Sequence, residues 1–139
     1  MKKRFRMAFN LNEPNKNGRV YTGDLTKKID KAIAQGRAYV TYHDGNVPPY
    51  DERAGSVPVG EIAGVIKETD EKGNELSVGA SMLATPAGDI VKHMMDEDVE
   101  FEFLPRGVGW LESDGKTTKV TEYTFISCDL VPKGGYGSL

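Results

Sequence analysis

The sequence predicts an α+β domain in which a mostly antiparallel, barrel-like β-sheet carries two helices. Two observations support this prediction. Segments with the period-two alternation of strands surround two segments with helical periodicity. Turn signals, Asp70-Glu71-Lys72-Gly73-Asn74 and Ser113-Asp114-Gly115, join neighbouring strand-like segments. The length of 139 residues, without an internal repeat, is that of a single domain.

Each predicted helix has a start signal and an apolar face. The first covers about 24–35, with Asp24 as its N-cap and Gly36 as its C-terminal stop. The second covers about 86–95 and is capped by Thr85. The predicted apolar faces are Leu25, Ile29, Ala32 and Ile33 in the first helix, and Ile90, Val91, Met94 and Met95 in the second.

The other periodic segments are predicted strands. They cover residues 2–9, 37–42, 57–69, 75–83, 99–104, 108–111 and 116–131. The long polar loop between the second and third strands, over residues 43–56, is of a length that often serves function. We therefore predict one domain over residues 1–131, followed by a Gly-rich tail over 132–139 that is extended or disordered.

The charge and composition are those of an ordinary soluble protein. Apolar residues make up 38% of the chain, charged residues 28%, and the net charge is −3. Neither nucleic acid nor an anionic membrane is therefore a predicted partner. No apolar run reaches the length of a membrane span, and no signal peptide is found at the start. These features predict a cytoplasmic protein, or one inside an assembly that is built in the cytoplasm.

Candidate catalytic and ligand-binding side chains are few. His43 follows a predicted strand, where a histidine can act as a general base, although a surface or turn histidine has the same pattern. His93 lies on the second helix, and with no cysteine near either histidine the sequence predicts no metal and no cofactor. Ser81 is the only serine on a small-residue strand, and no G-x-S-x-G elbow is present. The single cysteine, Cys128, excludes an internal disulfide and is expected to pack as a small hydrophobe.

Residues 101–109 form the most informative segment. Their sequence, Phe-Glu-Phe-Leu-Pro-Arg-Gly-Val-Gly, predicts a buried strand that runs into a tight Arg-Gly-x-Gly turn. Together with other segments, in the same order along nearly the whole chain, it resembles the prohead proteases of tailed bacteriophages, relatives of the herpesvirus capsid maturation protease. The other matching segments are Asn15-Lys16-Asn17-Gly18-Arg19-Val20-Tyr21, Tyr39-Val40-Thr41-Tyr42-His43, Val59 to Ile66, Leu76 to Leu83, Thr85-Pro86-Ala87-Gly88 and Cys128-Asp129-Leu130-Val131.

The resemblance implies a role for several of these residues. His43 corresponds to the general base, and Asp129 to a possible third member that orients it. Arg106 and the amides from Gly107 to Gly109 correspond to the surroundings of the oxyanion site. The family's Ser-Ser pair, which carries the nucleophile, corresponds to Leu104 and Pro105. Neither has an oxygen or sulfur that could attack a carbonyl, so the resemblance implies a protease scaffold without its nucleophile.

The sequence is compatible with three functional hypotheses. The first is a phage capsid-associated protein, either a decoration or cement protein or an assembly factor, that uses the fold for binding and not for hydrolysis. The second is an active serine prohead protease with its nucleophile elsewhere, Ser81 being the candidate. The third is an α+β binding module unrelated to capsids. The first two place the chain in the virion or in the host cytoplasm during assembly.

The partners of a catalytically inert scaffold must contact its surface. We expect the major capsid protein or other head proteins as partners, and a homo-oligomer is also compatible with the sequence. The expected contacts are the N-terminal strand with Arg4 and Arg6, the long loop with Tyr50, and the tail with Tyr136. These segments offer edge backbone groups, an aromatic anchor and a stretch that could order on binding.

Overall fold

The computed structural model of the protein describes residues 2–42 and 61–134. Within these residues the chain forms seven strands and two helices. The strands are β1 Lys2–Met7, β2 Arg19–Val20, β3 Tyr39–Tyr42, β4 Glu61–Lys72, β5 Glu75–Met82, β6 Phe101–Ser113 and β7 Thr118–Pro132. The helices are α1 Asp24–Ala34, between β2 and β3, and α2 Pro86–Asp96, between β5 and β6.

Six of the strands close into a barrel. The order is β7-β3-β4-β5-β1-β6, and β6 pairs with β7 to complete the ring, while β2 adds to the outer side of β7. Four of the pairings are antiparallel (β1–β5, β3–β4, β4–β5 and β6–β7) and three are parallel (β1–β6, β2–β7 and β3–β7). The prediction of a mostly antiparallel sheet is therefore only partly right, because turn signals fix the direction of hairpins and not of strands far apart in the chain.

Helix α1 packs on β4 and β7 through Leu25, Ile29 and Ala32, which are buried as predicted. Its end is confirmed, since Gly36 follows the helix with a φ of +69°, a conformation that glycine adopts without steric strain. Its start differs by one residue. Gly23 is the N-cap and makes no side-chain cap bond. Asp24 is the first helical residue, and its negative charge interacts favourably with the positive end of the helix dipole.

Helix α2 begins with the predicted cap. The Thr85 hydroxyl accepts a hydrogen bond from the Gly88 amide at 3.0 Å. The predicted apolar face is rotated, because Ile90 is 40% exposed whereas Ala87, Gly88 and Val91 are buried. The small residues let the first turn approach the sheet closely. A Cβ on Gly88 would lie 2.1 Å from the carbonyl oxygen of Leu83.

The predicted turn at Arg106–Gly109 is wrong, because β6 runs straight through it and pairs with β7 along its whole length. The two glycines serve a different purpose: both face the ring of Tyr123 across the hairpin. A Cβ on Gly107 would lie 2.4 Å from the Tyr123 ring, and one on Gly109 would lie 3.4 Å from it. The β6–β7 register shifts twice in this region, and each shift leaves one extra, unpaired residue on β7. Successive side chains of β6 therefore still alternate between the two faces of the sheet.

The barrel encloses one main apolar core, to which α1, α2 and the six barrel strands contribute. Cys128 lies in this core with no exposed surface, as predicted, and its burial raises the pKa of its thiol well above the ordinary value. In the part of the chain that the structure describes, neither helix is long and apolar enough to cross a membrane.

Candidate functional site: a buried arginine–aspartate pair

Arg106 on β6 and Asp129 on β7 form an ion pair that is almost completely buried. Their side chains are 3% and 2% exposed. The Arg106 Nε donates to Asp129 Oδ2 at 3.0 Å, and Nη2 donates to the same oxygen at 2.5 Å. Two donors from one guanidinium fix the carboxylate more firmly than a single contact would. The pair is therefore oriented by the two neighbouring strands that carry it.

A third strand contributes to this pair. The Thr41 hydroxyl on β3 donates to Asp129 Oδ1 at 2.6 Å, and Thr41 is itself buried. The register explains the contact, since Thr41 lies beside Asp129 in the parallel β3–β7 pairing. Both oxygens of Asp129 thus accept hydrogen bonds from described side chains. A buried carboxylate with this many donors is satisfied as an anion and needs no metal.

The positions that resemble the family's serine pair lie next to this ion pair. Leu104 stands directly opposite Asp129 in the β6–β7 register, and Pro105 stands opposite Cys128. Leu104 is 2% exposed and packs with Val131 in a small apolar cluster of its own. The wall at this point is hydrocarbon, and Pro105 has no amide proton to offer an oxyanion.

Ser127 lies closer to the ion pair than any residue that sequence reasoning proposed as a nucleophile. It stands opposite Arg106 in the register and is 1% exposed. Within the described part of the chain its hydroxyl oxygen has no hydrogen-bond partner. The sequence signal that could have found it is its spacing of two from Asp129 on one strand, which places both on one face. Its burial keeps a peptide carbonyl away from it.

The barrel keeps Ser81 apart from Asp129. Ser81 is on β5, paired with Lys2 of β1 and Val65 of β4. In the ring of six strands β5 is three places from β7 in either direction, so the two residues lie on opposite walls. His43, the residue that resembles the general base, lies outside the described residues, as do Tyr50 and Tyr136.

Arg4 and Arg6, the predicted partner-binding cations, lie on the exposed outer face of β1. The Arg4 Nη2 donates to Glu68 at 2.9 Å, and the Arg6 Nη1 donates to Glu75 at 2.8 Å. The ammonium of Lys2, and then Arg4, lower the pKa of Glu68 below its ordinary value. Lys2 and Arg4 thus share Glu68 on β4, and Arg6 pairs with Glu75 on β5. Acidic and basic side chains alternate on the described part of this face.

The Asn15–Tyr21 segment, which carries part of the resemblance, has a structural role. The Asn15 side-chain oxygen accepts hydrogen bonds from the amides of Asn17 and Arg19 at 2.9 and 3.0 Å. The Gly18 carbonyl accepts one from the Thr118 amide at 2.9 Å. Tyr21 then meets Tyr123 edge to face, with ring centroids 5.8 Å apart. The segment therefore connects the N-terminal loop to the start of β7.

Sequence reasoning missed an apolar surface on the same hairpin. Val108 and Trp110 on β6 are 67% and 70% exposed, and Ile126 on β7 is 39% exposed.

No group of three or more acidic, histidine or cysteine side chains within residues 2–42 and 61–134 could hold a metal ion. The described chemistry is therefore one buried ion pair and one exposed apolar face.

The closed barrel with its two helices and one additional strand is a prohead-protease-like fold. Among solved structures it is similar to the bacteriophage T4 capsid assembly protease, gp21. The TM-score is 0.66 at 16% sequence identity, over 92% of this chain and 80% of that chain. No protein-family model matches the chain, and no curated protein matches its sequence. At this identity the similarity shows the fold alone.

Proposed function

We propose that this chain is a bacteriophage capsid-associated structural protein, a decoration or cement protein or an assembly factor, that uses a prohead-protease-like fold for binding. The observation that supports the proposal most directly is the hydrocarbon wall at Leu104 and Pro105, beside Arg106 and Asp129. Its setting in phage head assembly rests on the fold that the chain shares with the T4 capsid assembly protease.

The absence of a nucleophile at these positions argues against peptide hydrolysis. In a serine protease the serine hydroxyl attacks the scissile carbonyl, and removing that serine costs roughly 10⁶-fold in rate. Asp129 is also committed to Arg106 and Thr41. An aspartate held in this way stabilises the barrel wall and has little capacity left to orient a histidine.

The partners that we propose are the major capsid protein or other phage head proteins, in the virion or in the host cytoplasm during assembly. Arg4, Arg6, Tyr50 and Tyr136 are the proposed contacts, with the tail after residue 131 as a separate binding segment. Arg4 and Arg6 would act through exchange of ion pairs, because both already have acidic neighbours. Exchange of exposed ion pairs favours specificity more than affinity.

An active serine prohead protease is the second candidate, because the T4 neighbour is a capsid assembly protease by name. It would need a nucleophile outside the Leu104–Pro105 positions, with Ser81 the residue to test. In this reading the wall occupied by Arg106 and Asp129 is a structural remnant and the reaction takes place elsewhere on the barrel.

One labelling experiment distinguishes the two candidates. The full chain is incubated with a serine-directed phosphonate and, separately, with capsid and scaffold peptides, and the products are measured by intact-mass spectrometry. We expect neither a mass increase nor cleavage. Stoichiometric labelling that Ser81→Ala abolishes and Ser127→Ala retains would establish the protease. A mass-spectrometric inventory of mature particles tests the structural role, since a stoichiometric component supports it and absence from both particles and assembly intermediates contradicts it.

A further inference from the structure

The outer face of the β6–β7 hairpin beyond Arg106 is apolar and uncovered. Because β6 alternates regularly and Gly109 faces Tyr123, its neighbours Val108 and Trp110 face away from the core. Their exposures, 67% and 70%, agree with this direction. Ile126, 39% exposed, lies on the adjacent strand two residues from Thr124, the residue paired with Val108. We call Val108, Trp110 and Ile126 the hairpin patch.

The hairpin patch has an apolar area of the size that is often functional. The three side chains together expose on the order of 350 Å² of apolar surface, in the range of the largest patch on a typical monomer. A standard interface buries about 800 Å² per partner, of which about 57% is apolar, or about 450 Å². The patch thus supplies most of the apolar area that one side of a standard interface needs.

The polar border of the patch is self-complementary. Glu112 follows Trp110 by two residues on the same face, and its partner in the register is Lys119 of β7. Both side chains are exposed. A two-fold axis along the hairpin places β6 of one copy over β7 of the other, so Glu112 of each copy meets Lys119 of the other. A strongly acidic or strongly basic partner finds no such match.

From this area and this charge pattern we propose that the hairpin patch docks a second copy of this chain, face to face, as a two-fold dimer. Two sheets pack well in this way when both present a flat apolar face at about 10 Å separation. An isologous contact also requires the same surface on both copies, which one patch bordered by both an acid and a base provides. The inference does not depend on the proposed function, because neither hydrolysis nor capsid binding enters it.

Sedimentation of the full-length chain over a range of concentrations tests the proposal. The wild type is expected to shift from monomer to dimer as concentration rises. Val108→Lys and Trp110→Lys are expected to stay monomeric, because each buries an unpaired ammonium at the centre of the contact. Ile90→Lys is the matched control, since Ile90 is an equally apolar, 40% exposed residue on α2, and it should dimerise like the wild type. Thermal unfolding of every variant confirms folding.

Charge exchange tests the orientation of the two copies. Glu112→Lys alone and Lys119→Glu alone should each weaken the dimer about tenfold or more, because each creates two like-charge contacts. An equimolar mixture of the two variants should recover wild-type association, since every contact then joins an acid to a base. A wild type that stays monomeric, or a Val108→Lys variant that dimerises normally, would overturn the proposal. If the monomeric wild type instead binds head proteins through the patch, the occupant is another protein and the proposal also fails.

Discussion

The two halves of the β6–β7 hairpin are built from the same strands yet have opposite surfaces. In the proximal half, residues 101–106 with 127–132, the outer face is buried, with Leu104 at 2% exposure. In the distal half, residues 107–113 with 118–126, the same face exposes Val108 at 67%. Side chains alternate regularly along all of β6, so sequence periodicity cannot distinguish the halves. The neighbouring strands distinguish them, because β1 and β3 pair with the proximal half.

The comparison separates a structural region from a binding region. Buried polar groups in the proximal half, Arg106, Asp129 and Thr41, satisfy one another and hold three strands in register. Among the described strands, the distal half pairs outside the hairpin only with the short edge strand β2, at the start of β7. Substitution of exposed side chains in the distal half is therefore expected to affect the stability of the fold little, whereas substitution of buried side chains in the proximal half is expected to destabilise it.

The largest effect is expected from Asp129→Asn, which leaves the Arg106 charge buried without its counter-charge. We expect a loss of about 3–5 kcal/mol in the free energy of unfolding, measured by chemical denaturation. Glu75→Gln, which breaks the exposed pair with Arg6, is the control and should cost about 0–1 kcal/mol. Equal effects of the two variants would mean that the proximal half is not a distinct structural region.

Gly107→Ala should have the next largest effect, because it lies at the boundary of the two halves. The added Cβ would meet the Thr124 carbonyl oxygen at 2.3 Å and the Tyr123 ring at 2.4 Å. The backbone oxygen cannot move aside freely, so we expect a loss of about 1–3 kcal/mol. Gly109→Ala, whose nearest contact is 3.1 Å, is the matched control and should lose less. If the order is reversed, the glycines do not serve the close approach of Tyr123.

The helices and the hairpin turns could be predicted from the sequence because their determinants are local. The helical stop at Gly36 and the cap at Thr85 are each set by side chains within a few residues. The parallel pairings β1–β6 and β3–β7 could not be predicted from the sequence, because they join residues about 90 positions apart, such as Thr41 and Asp129. No turn chemistry specifies the direction of such a pairing.

The sequence singled out both residues of the buried ion pair but not their contacts. Resemblance singled out Arg106 and Asp129, yet their ion pair depends on the β6–β7 register, and the Thr41 hydroxyl depends on a parallel pairing. The Gly-x-Gly pattern at residues 107–109 is compatible both with a turn and with a strand that passes close to an aromatic ring. The choice between the two depends on Tyr123, 16 residues after Gly107, which no local pattern identifies.

The thiol of Cys128 should report on the integrity of the proximal half. Burial first, and then the charge of Asp129, raise the pKa of this thiol well above its ordinary value. Its contribution to stability is therefore present below the unfolded-state pKa and is lost as the pH rises towards the folded-state value. We expect the wild type to lose stability relative to Cys128→Val at about 1.4 kcal/mol per pH unit above roughly pH 8.5. Denaturation at pH 7–10 measures the difference, and a constant difference would mean that the thiolate forms without penalty.

The smallest effect on the fold is expected from Val108→Ala, and it tests the comparison most directly. Val108 and Leu104 lie on the same face of the same strand, four residues apart, and differ in burial. Leu104→Ala should cost about 2–5 kcal/mol, because it removes buried methyl groups and leaves a cavity beside Asp129. Val108→Ala should change the free energy of unfolding by no more than about 0.5 kcal/mol, because truncating an exposed side chain removes few contacts.

Both variants are measured by chemical denaturation at a concentration at which Val108→Lys and wild type sediment alike, so that monomers are compared. A large loss from Val108→Ala under these conditions would show that the distal face is part of the core of the folded monomer, and it would remove the basis for a docking surface there.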